Sequence, residues 1–125
     1  MSLEIITKNH SNHCKLTLVG KCTVYNSNKI KDALLKIINE NENTLIDLSR
    51  VSDFDTAGMQ LFISAKNTAQ KKKKKLKFID HPICVIAILD LYGLTSFFGD
   101  KIVLSAEDRK QFPFRYGIRK GKNSL

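Results

Sequence analysis

Short apolar runs alternate with helical stripes along this chain, and that alternation most restricts its fold. After the polar residues 26–28, which can cap a helix, apolar side chains recur with helical spacing and predict one buried face, formed by Ile30, Ala33, Leu34, Ile37 and Ile38. Residues 44–48 follow as a short, mostly apolar strand, which is typical of the centre of a sheet. Strands that alternate with helices imply at least partly parallel pairing, with the helices packed against the sheet.

The remaining segments extend this order in both directions. Residues 3–7 and 14–19 alternate inward and outward on either side of a polar stretch, which predicts an N-terminal β-hairpin. The later elements, in chain order, are a loop at 49–55, a helix at 56–70, a strand at 76–79, a helix entered through Pro82 and ended by Gly93, and a strand at 101–104. The predicted order is β-β-α-β-α-β-α-β, an α/β fold with a mixed four- to five-stranded sheet.

The chain length of 125 residues indicates one domain. We expect residues 1–105 to form it and residues 106–125 to be a basic C-terminal extension. The three cysteines are scattered without C-x-x-C spacing, which predicts reduced thiols. The N-terminus lacks the pattern of a signal peptide, and no apolar stretch approaches the roughly 20 residues that cross a bilayer. These features predict a cytoplasmic protein with no inserted segment.

An excess of basic residues, 21 Lys and Arg against 12 Asp and Glu, gives a formal net charge of +9. Much of it lies in residues 71–75, and a lysine run after a helix is typical of a solvated C-terminus. Nucleic-acid binding favours arginines interleaved with aromatic residues, and this run has neither. The sequence leaves two partners open for this lysine run, an acidic protein and an anionic membrane surface. Residues 109–120 do interleave arginines with aromatic residues. A nucleic-acid or membrane contact is therefore left open there, beside packing of the aromatic residues onto the domain or docking on a partner.

The turn Asp55-Thr56-Ala57-Gly58 is the strongest candidate for a functional site. A strand and loop lead directly into a helix there, whose first N–H groups are unpaired and can hold an anion. Small residues allow another backbone or a phosphate to come close, and the Thr56 hydroxyl would face solvent. The structural alternative is that Asp55 or Thr56 only caps the helix.

The same stretch resembles the signature of the STAS domain family, which includes the bacterial anti-sigma-factor antagonists. The matching phrases are Asp47-Leu48-Ser49-Arg50-Val51, then Asp55-Thr56-Ala57-Gly58 at the start of a helix, and Leu91-Tyr92-Gly93-Leu94 after a later helix. The resemblance covers about residues 3–105 with the correct order and spacing. It implies a STAS-like fold, a protein partner and a cytoplasmic signalling role in transcription regulation.

In that family the hydroxyl residue after the aspartate is phosphorylated by a serine/threonine kinase with a histidine-kinase-like fold, and the resemblance implies that role for Thr56. The unmodified domain would bind an anti-sigma factor or related regulator, and the phosphorylated domain would release it. Phosphate would add about −1.5 to −2 charges beside Asp53 and Asp55. The implied binding face, on which Asp55 orients the turn and Gly58 permits close approach, consists of Ser52, Asp53, Asp55, Thr56, Ala57, Gly58, Met59 and Gln60.

Ala57 stands where the best-known antagonists carry a second hydroxyl residue. STAS subunits of a phospholipid-transport ATPase and of chemotaxis-type signalling complexes carry a similar phrase. For these subunits, membership of the family does not imply that the hydroxyl residue is phosphorylated. The alternative function is therefore a constitutive, unmodified subunit of such a complex.

Catalytic and metal-binding patterns are missing from the sequence. It has no nucleophile with a nearby base, no convincing carboxylate pair and no phosphate-cradling motif, so we predict a protein that is not an enzyme and needs no cofactor. His10, His13 and Cys14 lack a second ligand cluster, so no metal site is expected. The exposed edge of the N-terminal hairpin leaves a homodimer open.

Overall fold

The computed structural model describes residues 2–94 of the chain. This part contains three α-helices, a short 3-10 helix and five strands. In chain order they are β1 (Leu3–Asn9), β2 (Cys14–Cys22), the 3-10 helix (Val24–Asn26), α1 (Ser27–Glu40), β3 (Asn43–Asp47), β4 (Val51–Phe54), α2 (Thr56–Lys71), β5 (Lys75–Ile79) and α3 (Ile83–Leu91). The predicted strand at 101–104 and the predicted extension at 106–125 lie outside the described residues.

The five strands form one mixed sheet in which β2 has neighbours on both sides. β1 pairs antiparallel with β2 as the predicted hairpin, and β3 lies between β2 and β5 with parallel pairing to each. β3 and β4 lie one after the other along the same side of β2, because β3 pairs with its first half and β4 pairs with its last residues. The predicted mixed α/β architecture and the central position of residues 44–48 are confirmed.

Strand β4 corrects the prediction of a loop at residues 49–55. Its two end residues, Val51 and Phe54, are buried, whereas Ser52 and Asp53 between them are exposed. Four residues with an adjacent polar pair do not show the period-2 alternation by which strands are recognised. The strand forms because it pairs with β2, whose register shifts beside Gly20. Gly20 adopts a left-handed φ of 123°, which favours glycine.

The core lies between the sheet and its helices. The predicted apolar face of α1 is buried at four positions, and Ala33 packs at its margin. Three aromatic rings pack together in this core. Phe62 of α2 lies between Phe54 of β4 and Phe78 of β5, with centroid distances of 5.1 and 4.5 Å. Since Phe54 ends β4 and Phe62 lies two turns into α2, this stack fixes how helix α2 leaves the sheet.

The ends of the helices differ in detail from the predictions. Asn26 lies at the N-cap of α1 without a side-chain capping bond, and its amide donates instead to the backbone oxygen of Lys21 at 2.8 Å. Pro82 lies at the N-cap of α3, one residue before its first turn. Gly93 follows α3 with a φ of 66°, as predicted for a glycine that ends a helix.

Candidate functional site

The turn between β4 and α2 is held by the carboxylate of Asp55. Asp55 is the N-cap of α2 in extended conformation, and its Oδ1 accepts a hydrogen bond from Gly58 N–H at 3.1 Å. Its Oδ2 accepts a second from Val24 N–H, also at 3.1 Å. One side chain therefore caps the helix and ties its start to the 3-10 helix that follows β2. The predicted orienting role of Asp55 has a geometric basis in these two bonds.

Thr56 is the first residue of α2 and its side chain is exposed. The third and fourth N–H groups of the helix are engaged, because Gly58 N–H binds the Asp55 carboxylate and Met59 N–H binds the Asp55 carbonyl. The N–H groups of Thr56 and Ala57 have no partner inside the helix, as in the first turn of any α-helix. A hydroxyl on a rigid, positively polarised helix start is therefore presented outward.

Gly58 is buried, and the close approach predicted for it occurs inside the fold. A Cβ at this position would lie 2.5 Å from the backbone oxygen of Cys22 and 2.8 Å from Cε1 of Phe54. The missing side chain thus lets helix α2 pack against the end of β2, rather than admitting a partner or a phosphate. Met59 is buried as well. These two residues of the predicted binding face support the turn from beneath.

The other residues of the predicted face remain at the surface. Ser52, Asp53, Thr56 and Gln60 are exposed, while Asp55 and Ala57 are half-buried. Asp53 Oδ1 accepts a hydrogen bond from Phe54 N–H at 2.9 Å, which holds that carboxylate beside the turn. The face therefore combines two acidic groups with two exposed hydroxyl residues, Ser52 and Thr56.

Two exposed apolar residues next to this face were missed in the sequence. Val24 and Tyr25 lie in the 3-10 helix and are 56% and 76% exposed. The bond from Val24 N–H to Asp55 brings them beside the turn although they precede it by about thirty positions. An apolar pair between a strand and an Asn-rich cap was the available signal. Together with the exposed members of the predicted face they form what we call the Asp55 surface: Val24, Tyr25, Ser52, Asp53, Asp55, Thr56, Ala57 and Gln60.

The thiols around this region are held in the protonated form. Burial, together with the nearby Cys84 and Asp55, raises the pKa of Cys22 to about 12. Burial also raises the pKa of the Cys84 thiol, which donates to Val51 O at 3.7 Å. Because only the thiolate is an effective nucleophile, neither sulfur is prepared for nucleophilic chemistry.

The ion pair between Lys15 of β2 and Asp47 at the end of β3 is structural. Lys15 Nζ lies 3.4 Å from Asp47 Oδ2, and Ser49 N–H donates to Asp47 Oδ1 at 2.9 Å. Burial alone would raise the pKa of the Asp47 carboxyl. The hydrogen bonds from Ser49 and the charge of Lys15 outweigh it and hold that pKa below its usual range. Asp47 therefore stabilises the turn between β3 and β4.

Among residues 2–94, no three potential ligand side chains converge as a metal site would require. The imidazole rings of His10 and His13 stack on each other in the hairpin turn with centroids 4.6 Å apart. Within the same residues, no helix has the length and apolar character needed to cross a membrane.

A family model described as "Mlab, STAS domain" matches residues 6–104, which is most of the chain. The chain belongs to the STAS domain family. The resemblance predicted from the three sequence phrases is thereby confirmed. This STAS domain is distantly related to anti-sigma factor antagonists: the anti-sigma-B factor antagonist of Bacillus subtilis (strain 168) is 22% identical over 94 residues, which are 75% of this chain and 86% of that protein.

Solved structures of anti-sigma factor antagonists share the fold. One from Mycobacterium paratuberculosis aligns with a TM-score of 0.72 and 14% identity, over 89% of this chain and 93% of that one. The antagonist SpoIIAA in its unphosphorylated form aligns with a TM-score of 0.63 and 14% identity, over 87% of this chain and 97% of that one. The predicted fold class is confirmed by these alignments.

Proposed function

We propose that this STAS domain is a non-enzymatic binding module of the anti-sigma-factor-antagonist kind, and that the Asp55 surface docks a protein regulator. The observation that carries the proposal is the exposed hydroxyl of Thr56 at the first position of a helix whose start is fixed by two bonds to Asp55. A rigid support with exposed apolar residues beside it suits a protein interface, because little side-chain or backbone entropy is lost on docking.

The proposed partner is an anti-sigma-factor serine/threonine kinase or another histidine-kinase-like regulator, and the proposed switch is phosphorylation of Thr56. A phosphate would add about −1.5 to −2 charges at neutral pH next to Asp53 and Asp55. The helix start can accommodate that charge in solution. A partner packed against Val24 and Tyr25 would have to bury it, so the modified domain would dissociate.

The experiment uses the full chain and each purified histidine-kinase-like ATPase regulator encoded in the same genome. Binding is measured by calorimetry without ATP, and the site of modification is mapped by mass spectrometry after ATP is added. We expect phosphate on Thr56, and at least tenfold weaker binding for Thr56→Glu than for Thr56→Val. The matched charge control is Thr68→Glu, because Thr68 is a half-buried threonine further along α2. Unmodified Thr56 together with equal binding of both Thr56 variants would contradict the switch.

A constitutive subunit is the second candidate, favoured by Ala57. The second position of the helix has a half-buried methyl group and no hydroxyl, so the turn offers one acceptor only. In that case the Asp55 surface would dock a permanent neighbour, such as a phospholipid-transport ATPase or a chemotaxis-type signalling complex. Unchanged assembly of such a complex with Thr56→Val, and no phosphate on the native protein in any growth phase, would favour this function over the switch.

A further inference from the structure

A second charged surface lies at the opposite end of the molecule from the Asp55 surface. Strands β2, β3 and β5 run parallel and all begin at that end, with Lys75 as the first residue of β5. Helix α2 starts next to Asp55 and runs back to the end at which these strands begin. It ends at Lys71 after 16 residues, which is about 24 Å of helix. The lysine run therefore occupies the turn that reverses the chain at the end of the sheet.

One lysine of the run has a structural role, and the others are displayed. Lys74 Nζ donates at 2.8 Å to the backbone oxygens of Ile38 and Asn39, the unsatisfied carbonyls near the end of α1. Lys73 has a left-handed φ of 59°, so the chain turns sharply around it. The four other side chains are exposed, and among residues 2–94 none of them forms an ion pair; they are Lys71, Lys72, Lys73 and Lys75.

The neighbouring hairpin brings a further cation to the same end. Asn43, the first residue of β3, pairs with Lys75 and donates its side-chain amide to the backbone oxygen of Asn12 at 3.1 Å. The β1–β2 turn is thereby held beside the lysine run, and Lys8 is exposed just before it. Glu40 and Glu42 are also exposed there, but the exposed lysines outnumber these two carboxylates. We call the five exposed lysines Lys8, Lys71, Lys72, Lys73 and Lys75 the basic end.

The side chains of the basic end fit a surface of diffuse negative charge better than a nucleic acid. Every cation in it is a lysine, which acts as a flexible point charge, whereas arginine recognises phosphate through a fixed bidentate fork. Single-stranded nucleic acid also requires aromatic platforms on which bases stack. The basic end has none, and the two nearby imidazole rings stack on each other. Clusters of four to eight basic residues are typical of segments that bind anionic lipid headgroups.

We propose that the basic end binds the surface of an anionic phospholipid bilayer without inserting into it. The attraction is electrostatic, so it weakens as salt is added. Because the two surfaces lie at opposite ends of α2, a domain bound in this way points the Asp55 surface away from the lipid, where a protein regulator can reach it. The proposal is independent of whether Thr56 is phosphorylated.

The test is co-sedimentation of the full chain with phosphatidylcholine vesicles that contain or lack phosphatidylglycerol. We expect binding to the anionic vesicles only. The triple variant Lys71→Gln, Lys72→Gln, Lys75→Gln should lower the partition coefficient about a hundredfold, from about fivefold for each lysine. The charge-matched control is Lys21→Gln, Lys31→Gln, Arg50→Gln, three exposed cations away from the basic end, which should keep most of the binding.

Hydrogen exchange of the vesicle-bound protein gives an independent readout. Amides of residues 70–77 should gain protection, whereas those of residues 52–60 should not. Equal loss of binding in the two triple variants would overturn the proposal, because net charge alone would then account for it. Absence of binding to anionic vesicles would also overturn it, as would a basic-end-dependent affinity for a single-stranded oligonucleotide that exceeds the affinity for vesicles at the same salt.

Discussion

The Oδ2 atom of Asp55 accepts a hydrogen bond from the N–H of Val24, 31 residues earlier in the chain, at 3.1 Å. The other oxygen of the same carboxylate caps helix α2. A residue recognised from sequence as a helix cap is therefore also the link between two chain segments. The shape of the Asp55 surface depends on that link, since it holds Val24 and Tyr25 beside Thr56.

Replacement of Asp55 by alanine should lower the free energy of unfolding by about 0.5–2 kcal/mol, the usual cost of losing an N-cap. The loss of the bond to Val24 places the expected value at the upper end of that range. Urea unfolding monitored by circular dichroism measures it. Asp53→Ala is the matched control, because Asp53 is exposed and its carboxylate accepts a bond from the adjacent Phe54 N–H, and it should stay within about 0.5 kcal/mol. Equal effects of the two variants would contradict a stabilising role of the Asp55 carboxylate.

Gly58→Ala should destabilise the domain although alanine is the better helix former. Alanine gains up to about 1 kcal/mol of helix propensity over glycine. The added Cβ would meet the Cys22 backbone oxygen at 2.5 Å, and overpacking against backbone costs about 1–3 kcal/mol. We expect a net loss of about 1–2 kcal/mol in urea unfolding. Ser64→Ala on the exposed side of the same helix should be neutral or stabilising. A stabilising Gly58→Ala would disprove the close approach.

The fold could be predicted to a large extent because its signals are local. The spacing of Ile30, Leu34 and Ile37 marks the buried face of α1 from side-chain period alone, and these residues are buried. Strand β4 could not be predicted in this way. Its four residues carry no period of their own, and it forms by pairing with the end of β2, about thirty residues earlier. Such pairing depends on contacts that no short window contains.

In the candidate site, too, local features could be predicted and features that depend on long-range contacts could not. The type and position of Asp55 predict a cap, and the carboxylate caps the helix. The position of Tyr25 could not be predicted, because it follows from the long-range bond between Val24 and Asp55. The sequence suggested a close approach at Gly58 without indicating which group approaches, and only the three-dimensional packing shows the Cys22 carbonyl next to it.

Asp47 should make part of the stability of the domain dependent on pH. Its pKa is lowered in the folded state by Ser49 and Lys15, against the opposing effect of burial. A lowered folded-state pKa contributes stability above the unfolded value of about 3.9. That contribution is lost as the pH falls through the folded-state pKa. Asp47→Asn should therefore reduce the free energy of unfolding at neutral pH, and the difference from the unmodified protein should shrink towards pH 3.

Urea unfolding at several pH values between about 3 and 7, around the unfolded Asp pKa, measures this effect. The matched control is Asp32→Asn, an exposed carboxylate on α1, which should leave the acid side of the stability profile unchanged. Lys15→Gln should reproduce part of the Asp47→Asn effect, because Ser49 still donates to the carboxylate. A difference between Asp47→Asn and the unmodified protein that stays constant with pH would contradict this assignment.

Tyr25 should contribute to partner binding and little to stability. Its side chain is 76% exposed, so Tyr25→Ala should change the free energy of unfolding by less than about 0.5 kcal/mol. Exposed tyrosines that become buried in an interface are often among the residues with the largest binding contributions. We therefore expect binding to the ATPase regulator to weaken at least about tenfold, a loss of about 1.4 kcal/mol. Leu91→Ala is the control, because Leu91 is 70% exposed at the C-terminal end of α3. Unchanged affinity for Tyr25→Ala would remove the 3-10 helix from the proposed interface, whereas an equal loss for Leu91→Ala would show that the interface is not centred on Asp55.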